Sequence, residues 1–297
     1  MTAPRYVDLH VHTNYSDGAF TPEEAVRFAH GAGLAAISIT DHDTVDAIPA
    51  ALAEGAILGV EVIPGIELSA ELQDVHTTEM HILGYYINWE NAPFKETLEL
   101  FRAARKKRAY QILEKLSKLG IHLHEDHLFG ISGRGVVGRL HFARAMVERG
   151  FSATIADAFH NFLGIGRPAY VPKLRLKPEE AIRMILKIGG IPVLAHPYYG
   201  HYNNKQLLRR LVNEGLKGIE VWHSKHQPET VRMFEQIARE LDIVSTGGSD
   251  CHGTFGDAAA IMGTLNISYD VVTALKKCKE KIDRANSRIF EDAGETP

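Results

Sequence analysis

Cysteine is scarce. Cys251 and Cys278 are the only two in 297 residues, which excludes a disulfide framework, and Cys278 lies in a lysine-rich helical pattern where a thiol is expected to be inert. No run of apolar residues approaches the roughly 20 that a membrane helix needs. The N-terminus lacks the basic-then-apolar pattern of a signal peptide, so a cytoplasmic protein that does not engage a membrane is expected. Positive charge is not in excess either. Lys and Arg number 33 against 37 Asp and Glu, for a formal net charge of -4 and a pI near 6.5. That balance excludes the broad basic footprint that holds duplex DNA. A small anionic substrate is still compatible if the cations that meet it are local.

Histidine, by contrast, is abundant, 16 in a chain that is 45% hydrophobic and 24% charged. That composition suits one large globular domain, or a large domain with an insert. The histidine surplus hints at metal chemistry, since imidazole is the commonest metal ligand. Two of them open the chain in Asp8-Leu9-His10-Val11-His12-Thr13, followed by Ser16-Asp17-Gly18. Tyr6 to Leu9 read as a buried strand, and strand side chains alternate faces, so Asp8, His10 and His12 point one way as the strand ends. Asp17 returns a carboxylate to the same area after a turn. A surface turn is the competing reading of His-x-His taken alone.

The pattern then recurs. Thr21-Pro22-Glu23-Glu24 is a helix start, with Thr as N-cap, Pro at the first helical position and acids in the first turn. Strands at Ala35–Thr40 and Glu61–Ile66 end in His42 and Glu67. The strands before His196-Pro197, before His223-Ser224-Lys225-His226 and before Ser249-Asp250-Cys251-His252 do likewise. His81 departs from this rule, standing near the beginning of its strand, Met80–Tyr85. Helical patterns lie between the strands. Short apolar strands alternating with helices mean an α/β protein with a mainly parallel sheet. Only a closed or nearly closed barrel brings the C-terminal ends of so many strands around one centre. An irregular (β/α) barrel of about seven strands is therefore expected, formed by residues 1–93 and 173–290. Residues 94–172 break the alternation and read as a helical insertion over the barrel mouth, in which Arg134, Arg139, Arg144 and Arg167 concentrate. Residues 291–297 read as a tail.

The strand-end residues His10, His12, Asp17, His42, Glu67, His81, His196, Asp250 and His252 make six imidazoles and three carboxylates. That is too many for one tetrahedral ion and suits a cluster of two or three with a bridging carboxylate. Such a cluster activates water and neutralises charge on the oxygens of a transition state. Three divalent ions would outweigh three carboxylates, so the site stays cationic, which favours a phosphate over a neutral amide.

As an ordered set, Asp8-Leu9-His10-Val11-His12, Thr40-Asp41-His42-Asp43, Gly65-Ile66-Glu67, His81-Ile82-Leu83-Gly84, Ala195-His196-Pro197 and Ser249-Asp250-Cys251-His252 resemble the successive motifs of the polymerase and histidinol phosphatase (PHP) family of metal-dependent phosphoesterases. The resemblance runs from Tyr6 to about Leu265. It implies a distorted seven-stranded (β/α) barrel with three divalent ions, manganese first, with iron or zinc equally suited to the donor set. One ion would be held by His10, His12, Glu67 and Asp250, a second by Asp17, His42 and His252, and a third by Glu67, His81 and His196. Asp8, Asp41 and Asp43 are expected to support ligands or form turns.

The segments Gly138–Arg144 and Phe162–Val171 are similar to the helical insert of bacterial members that act on nucleotides. That branch removes the 3'-phosphate of nucleoside 3',5'-bisphosphates or degrades short RNA from its 5' end. The resemblance implies that Arg139 and His141 meet substrate phosphate, with Arg134 and Arg167 as further candidates. A forked guanidinium suits a second phosphate too far from the metals to be coordinated. The expected mechanism is in-line attack of metal-bridging hydroxide, with an imidazole protonating the leaving alkoxide: His226, or else His223 or His201. Phe162, Tyr198 or Tyr199 could stack on a base. Histidinol-phosphate phosphatase, a metal-dependent amidohydrolase and a non-catalytic metal-binding accessory module are the competing readings. A monomer is expected, since nothing in the pattern demands a dimer.

Overall fold

The computed structural model describes residues 4–72, 78–132, 137–172, 176–198, 204–254 and 259–292. Arg134, Tyr199 and His201 lie outside them, as do residues 293–297 of the expected tail. No helix among the described residues is long and apolar enough to cross a membrane.

The strands are β1 (Tyr6–Val11), β2 (Leu34–Ile39), β3 (Glu61–Leu72), β4 (Thr78–Tyr85), β5 (Ile191–Leu194), β6 (Gly218–His223), β7 (Val244–Gly248) and β8 (Ile267–Ser268). They form one sheet in the order β7-β6-β5-β4-β3-β2-β1-β8. Just past β7, Cys251 pairs in parallel with Val11 of β1, which nearly closes the sheet into a barrel. Closure demands glycine at 248, where a Cβ would lie 2.3 Å from the backbone nitrogen of His10. The strand beyond the expected seven is the two-residue β8, antiparallel to β1.

The helices around the barrel follow local rules. In α1 (Pro22–Gly31), Thr21 and Glu24 form the capping box that the sequence announces. Helices α2 (Ile48–Leu58), α7 (Pro178–Lys187), α8 (Lys205–Asn213), α9 (Pro228–Glu240) and α10 (Asp270–Asp292) lie between or after the strands. The insertion consists of α3 (Ala92–Lys118), α4 (Glu125–Ser132), α5 (Arg139–Glu148) and α6 (Ile155–Ala158), which runs on into a π turn, Phe159–Leu163. Phe94 and Leu98 of α3 pack into the barrel core, whereas Ala109, Ile112 and Leu116 belong to a separate apolar cluster with Phe142 and Met146 of α5. The expected boundary at residue 94 thus falls inside a helix shared by both parts.

His81 finds its explanation here. β4 runs antiparallel to both neighbours, β3 and β5. Its N-terminal end therefore lies at the barrel mouth, where the parallel strands present their C-terminal ends. β3 also continues past Glu67 to Leu72 because the hairpin with β4 supplies its partners.

Candidate metal centre

The nine strand-end residues converge. His10 Nε2 and His12 Nε2 lie 3.1 Å apart. Both approach Glu67 Oε2, at 3.4 and 3.2 Å, and Asp250 Oδ1, at 3.4 and 3.2 Å. Ligand bonds of 2.0–2.2 Å around a tetrahedral ion would set donor atoms about 3.4 Å apart. A second group joins Asp17 to His252 at 3.2 Å and to His42 at 3.8 Å. In a third, Glu67 Oε1 lies 2.8 Å from His81 Nδ1 and 3.0 Å from His196 Nε2. His42 Nδ1 and Glu67 Oε2 are 3.0 Å apart, yet both are buried without a hydrogen bond. Two buried polar atoms this close with no bond between them fit residues that share a cation. Among the described residues, the sets close enough to share an ion are His10, His12 and Glu67; His42, Glu67 and His81; and His12, Asp17, His42 and His252. His42 thus stands beside Glu67 as well as Asp17, and His12 Nδ1 lies 3.6 Å from Asp17. Ser16 Oγ is closer to that nitrogen, at 3.3 Å, which leaves Nε2 of His12 for the first group.

A ring of polar residues orients these donors. Asp8 accepts from the backbone N–H groups of Ser249 (2.8 Å) and Gly263 (2.9 Å), tying the loop after β7 to β1. Asp41 accepts from the backbone and hydroxyl of Thr13, both at 2.7 Å, and from Ser16. Asp43 accepts from Ser69 N–H at 2.9 Å and pairs with Arg105 of α3. His196, Asp250 and Asp43 adopt positive φ of 24°, 58° and 52°, backbone strain of the kind that concentrates at functional sites.

Glu220 is the partner that sequence reasoning missed. Wholly buried in β6, it contacts His10 Nδ1 at 3.0 Å and accepts the backbone N–H of His196 at 2.6 Å. Held at Nδ1, the His10 ring turns Nε2 toward the cluster. The available signal was a glutamate at the centre of an apolar strand, Gly218-Ile219-Glu220-Val221-Trp222.

The electrostatics are those of a cation site. Burial opposes protonation of His12, but the carboxylates of Asp250, Glu67 and Asp17 around it outweigh that and raise its pKa to about 10. Burial likewise opposes protonation of His81, which Glu67 and Glu79 raise to about 9. Burial alone would raise the carboxyl of Glu67, yet His42, His81 and His10 hold it well below the usual range. Protons thus stand where cations would. Because an imidazole must be neutral to coordinate, cation binding at pH 8 is expected to release protons and to tighten as pH rises. Calorimetric titration of the chelated protein with Mn2+, in two buffers of different ionisation enthalpy, measures that release; a buffer-independent heat would refute it.

Beside the cluster opens a cavity of about 240 Å3. Asp17, His42 and His81 line it together with Arg139 and His141. Arg139 is the first residue of α5 and His141 the third, so both project from a helix N-terminus, where backbone N–H groups favour anions. Arg105, Arg108 and Phe159 also line this cavity; the two arginines were visible only as part of a basic helix face. Arg167 is exposed and is not part of that lining. Phe162 and Tyr198 are not part of it either. His226 stands back: its Nδ1 contacts the carbonyl of Val221 at 2.8 Å, and its ring centroid is 5.2 Å from that of His223. His223 is the nearer imidazole, with Nε2 3.5 Å from Asp250 Oδ2.

A nearly closed α/β barrel that gathers six imidazoles and three carboxylates at its mouth, next to a cavity faced with arginines, defines a metal-dependent hydrolase of phosphate esters. Comparison with known proteins agrees. The PHP domain family matches residues 8–165. Over 252 residues the chain is 36% identical to the 5'-3' exoribonuclease Rnm of Salmonella typhimurium, covering 82% of this chain and 84% of that protein. It is 31% identical, also over 252 residues, to the 3',5'-nucleoside bisphosphate phosphatase of Chromobacterium violaceum, covering 83% and 87%. A Bifidobacterium adolescentis structure described as a metal-dependent phosphoesterase superposes with a TM-score of 0.81 at 30% identity, over 93% of this chain and 97% of that one. The chain belongs to the PHP domain family and is a metal-dependent phosphoesterase.

Proposed function

We propose that the protein removes the 3'-phosphate of nucleoside 3',5'-bisphosphates, using three divalent cations, manganese first, held by the three groups of residues around Glu67. The observation that carries this reading is that one cavity is lined both by Asp17, His42 and His81 of the cluster and by Arg139 and His141. A substrate with one phosphate at the cluster would present a second to the start of α5. When bound, the cations supply Lewis-acid polarisation of the phosphoryl oxygens and an activated water.

The chain's own residues do the rest. Arg139 offers a planar fork to the phosphate that is not hydrolysed. His141 accepts the backbone N–H of Gly138 at Nδ1, at 3.0 Å, so its proton resides on Nε2. Burial lowers its pKa, which keeps the ring neutral, so Nε2–H serves as a hydrogen-bond donor to a phosphoryl oxygen. The proton for the leaving alkoxide would come from an imidazole in its protonated form, His226 behind His223 or His223 itself. The insertion, residues 94–172, is on this reading the substrate-recognition part of the protein.

The 36% identical relative named an exoribonuclease supports a second reading, 5'-3' hydrolysis of short RNA. Arg139 would then hold the backbone. Manganese-loaded protein assayed against adenosine 3',5'-bisphosphate and a 5'-phosphorylated short RNA separates the two. Preference for the bisphosphate, with AMP as product, supports the first; stepwise release of mononucleotides at a comparable or higher rate supports the second. On either substrate Arg139→Ala is expected to raise KM about 10- to 100-fold, the cost of one charge-assisted hydrogen-bonding group. An unchanged KM would remove Arg139 from substrate binding.

A further inference from the structure

Among the described residues, Arg139 makes none of the short hydrogen bonds that usually immobilise a half-buried guanidinium. Its Nη1 lies 3.5 Å from the carbonyl of Leu163, and its Nη2 lies 3.6 Å from Glu79, with the side chain 19% exposed. Both contacts are long for a charged donor, whose bonds run at about 2.7–2.9 Å. What surrounds it instead is aromatic. The guanidinium carbon is 5.7 Å from the ring centroid of Phe159 and 5.7 Å from that of Tyr170, within the range of a cation–π contact.

The two rings are themselves held in place. Phe159 opens the π turn, whose end is closed by Gly164 N–H donating to the Phe159 carbonyl at 2.8 Å. A Cβ at Gly164 would lie 2.7 Å from that oxygen, so the turn requires glycine there. Tyr170 is pinned from α3: Lys115 donates to its carbonyl at 2.6 Å, and Arg108 donates to the next carbonyl, Val171, at 2.8 Å. The segment from Phe159 to Tyr170 thus supplies two ring faces and one weak carbonyl acceptor to a single arginine. A π turn inside a short helical stretch is rare and frequently marks a functional site.

We infer that Phe159 and Tyr170 form a seat that orients Arg139 and leaves its hydrogen-bonding edge for the non-reacting phosphate of the substrate. They are positioning residues for specificity toward substrates with two phosphates. Ring faces fix the plane of a guanidinium without occupying its N–H groups, and phosphate oxygens at ordinary charge-assisted distances would displace the two long contacts. The inference rests on the reading of Arg139 as the binder of that phosphate.

The test compares adenosine 3',5'-bisphosphate with p-nitrophenyl phosphate, which has a single phosphate, as substrates of the manganese-loaded protein. Arg139→Ala comes first and should lower the ratio of kcat/KM between the two substrates. If that ratio does not move, the reading of Arg139 falls and takes the seat with it. If it moves, Phe159→Leu and Tyr170→Leu decide the seat alone. Each is expected to lower the ratio about 3- to 10-fold, through KM for the bisphosphate and not through kcat, while Phe159→Tyr and Tyr170→Phe, which keep the rings, retain it. A parallel loss on both substrates would mean that the rings only pack the insertion and would overturn the inference. So would an unchanged ratio in both leucine variants.

Discussion

Glu67→Gln is expected to lower phosphoesterase turnover by more than about 100-fold, beyond the 10- to 100-fold that loss of a residue merely supporting a ligand produces. Glu67 serves the centre with both oxygens: Oε2 faces His10, His12 and His42, and Oε1 faces His81 and His196. The amide removes the negative charge and turns one acceptor into a donor, so it cannot bridge two cations. Metal content by plasma emission should fall together with activity. Wild-type metal content with activity within tenfold of wild type would show that Glu67 does not bridge. Chelation of the wild-type protein should mimic the variant and be reversed by added Mn2+, whereas E67Q should not recover.

The second large effect is on stability. Arg105→Ala is expected to destabilise the protein by about 3–5 kcal/mol, the range for breaking a buried ion pair from one side. Arg105 and Asp43 are nearly buried, at 12% and 5% side-chain exposure. Their pairing joins α3 to the loop that carries His42, and Arg105 also donates to Ser69 Oγ at 3.1 Å, two residues beyond Glu67. The insertion is thereby fastened to two ligand-bearing segments. Thermal unfolding should show a fall in Tm of roughly 5–15 °C. The Arg105→Ala/Asp43→Ala pair should lose less than the sum of the two single variants, because the double change leaves no buried charge uncompensated. Strict additivity would show that the pair contributes nothing as a pair.

Much of this centre is legible in the linear order of residues. His10 and His12 share a face because strand side chains alternate, and Thr21 with Glu24 caps α1 because both partners lie within one turn. Other parts are not legible in that way. His81 breaks the strand-end rule until β4 is seen to be antiparallel, which depends on its neighbours and not on its own residues. Glu220 acts on a histidine 210 positions away. From the sequence His226 ranks ahead of His223, yet the turn after β6 sets His223 against Asp250 and His226 behind it.

The amino-acid sequence by itself determined the α/β class, the helix starts, the kinds of donor atom and the strand ends that carry them, because periodicity and capping act over a few residues. Tertiary structure alone decided which donor side chains meet, that Glu220 contacts His10, that Arg105 pairs with Asp43, and that Phe159 and Tyr170 flank Arg139. Each of these is a contact between residues far apart in the chain. Such contacts come into being only when the barrel closes and the insertion docks, so no local pattern can encode them.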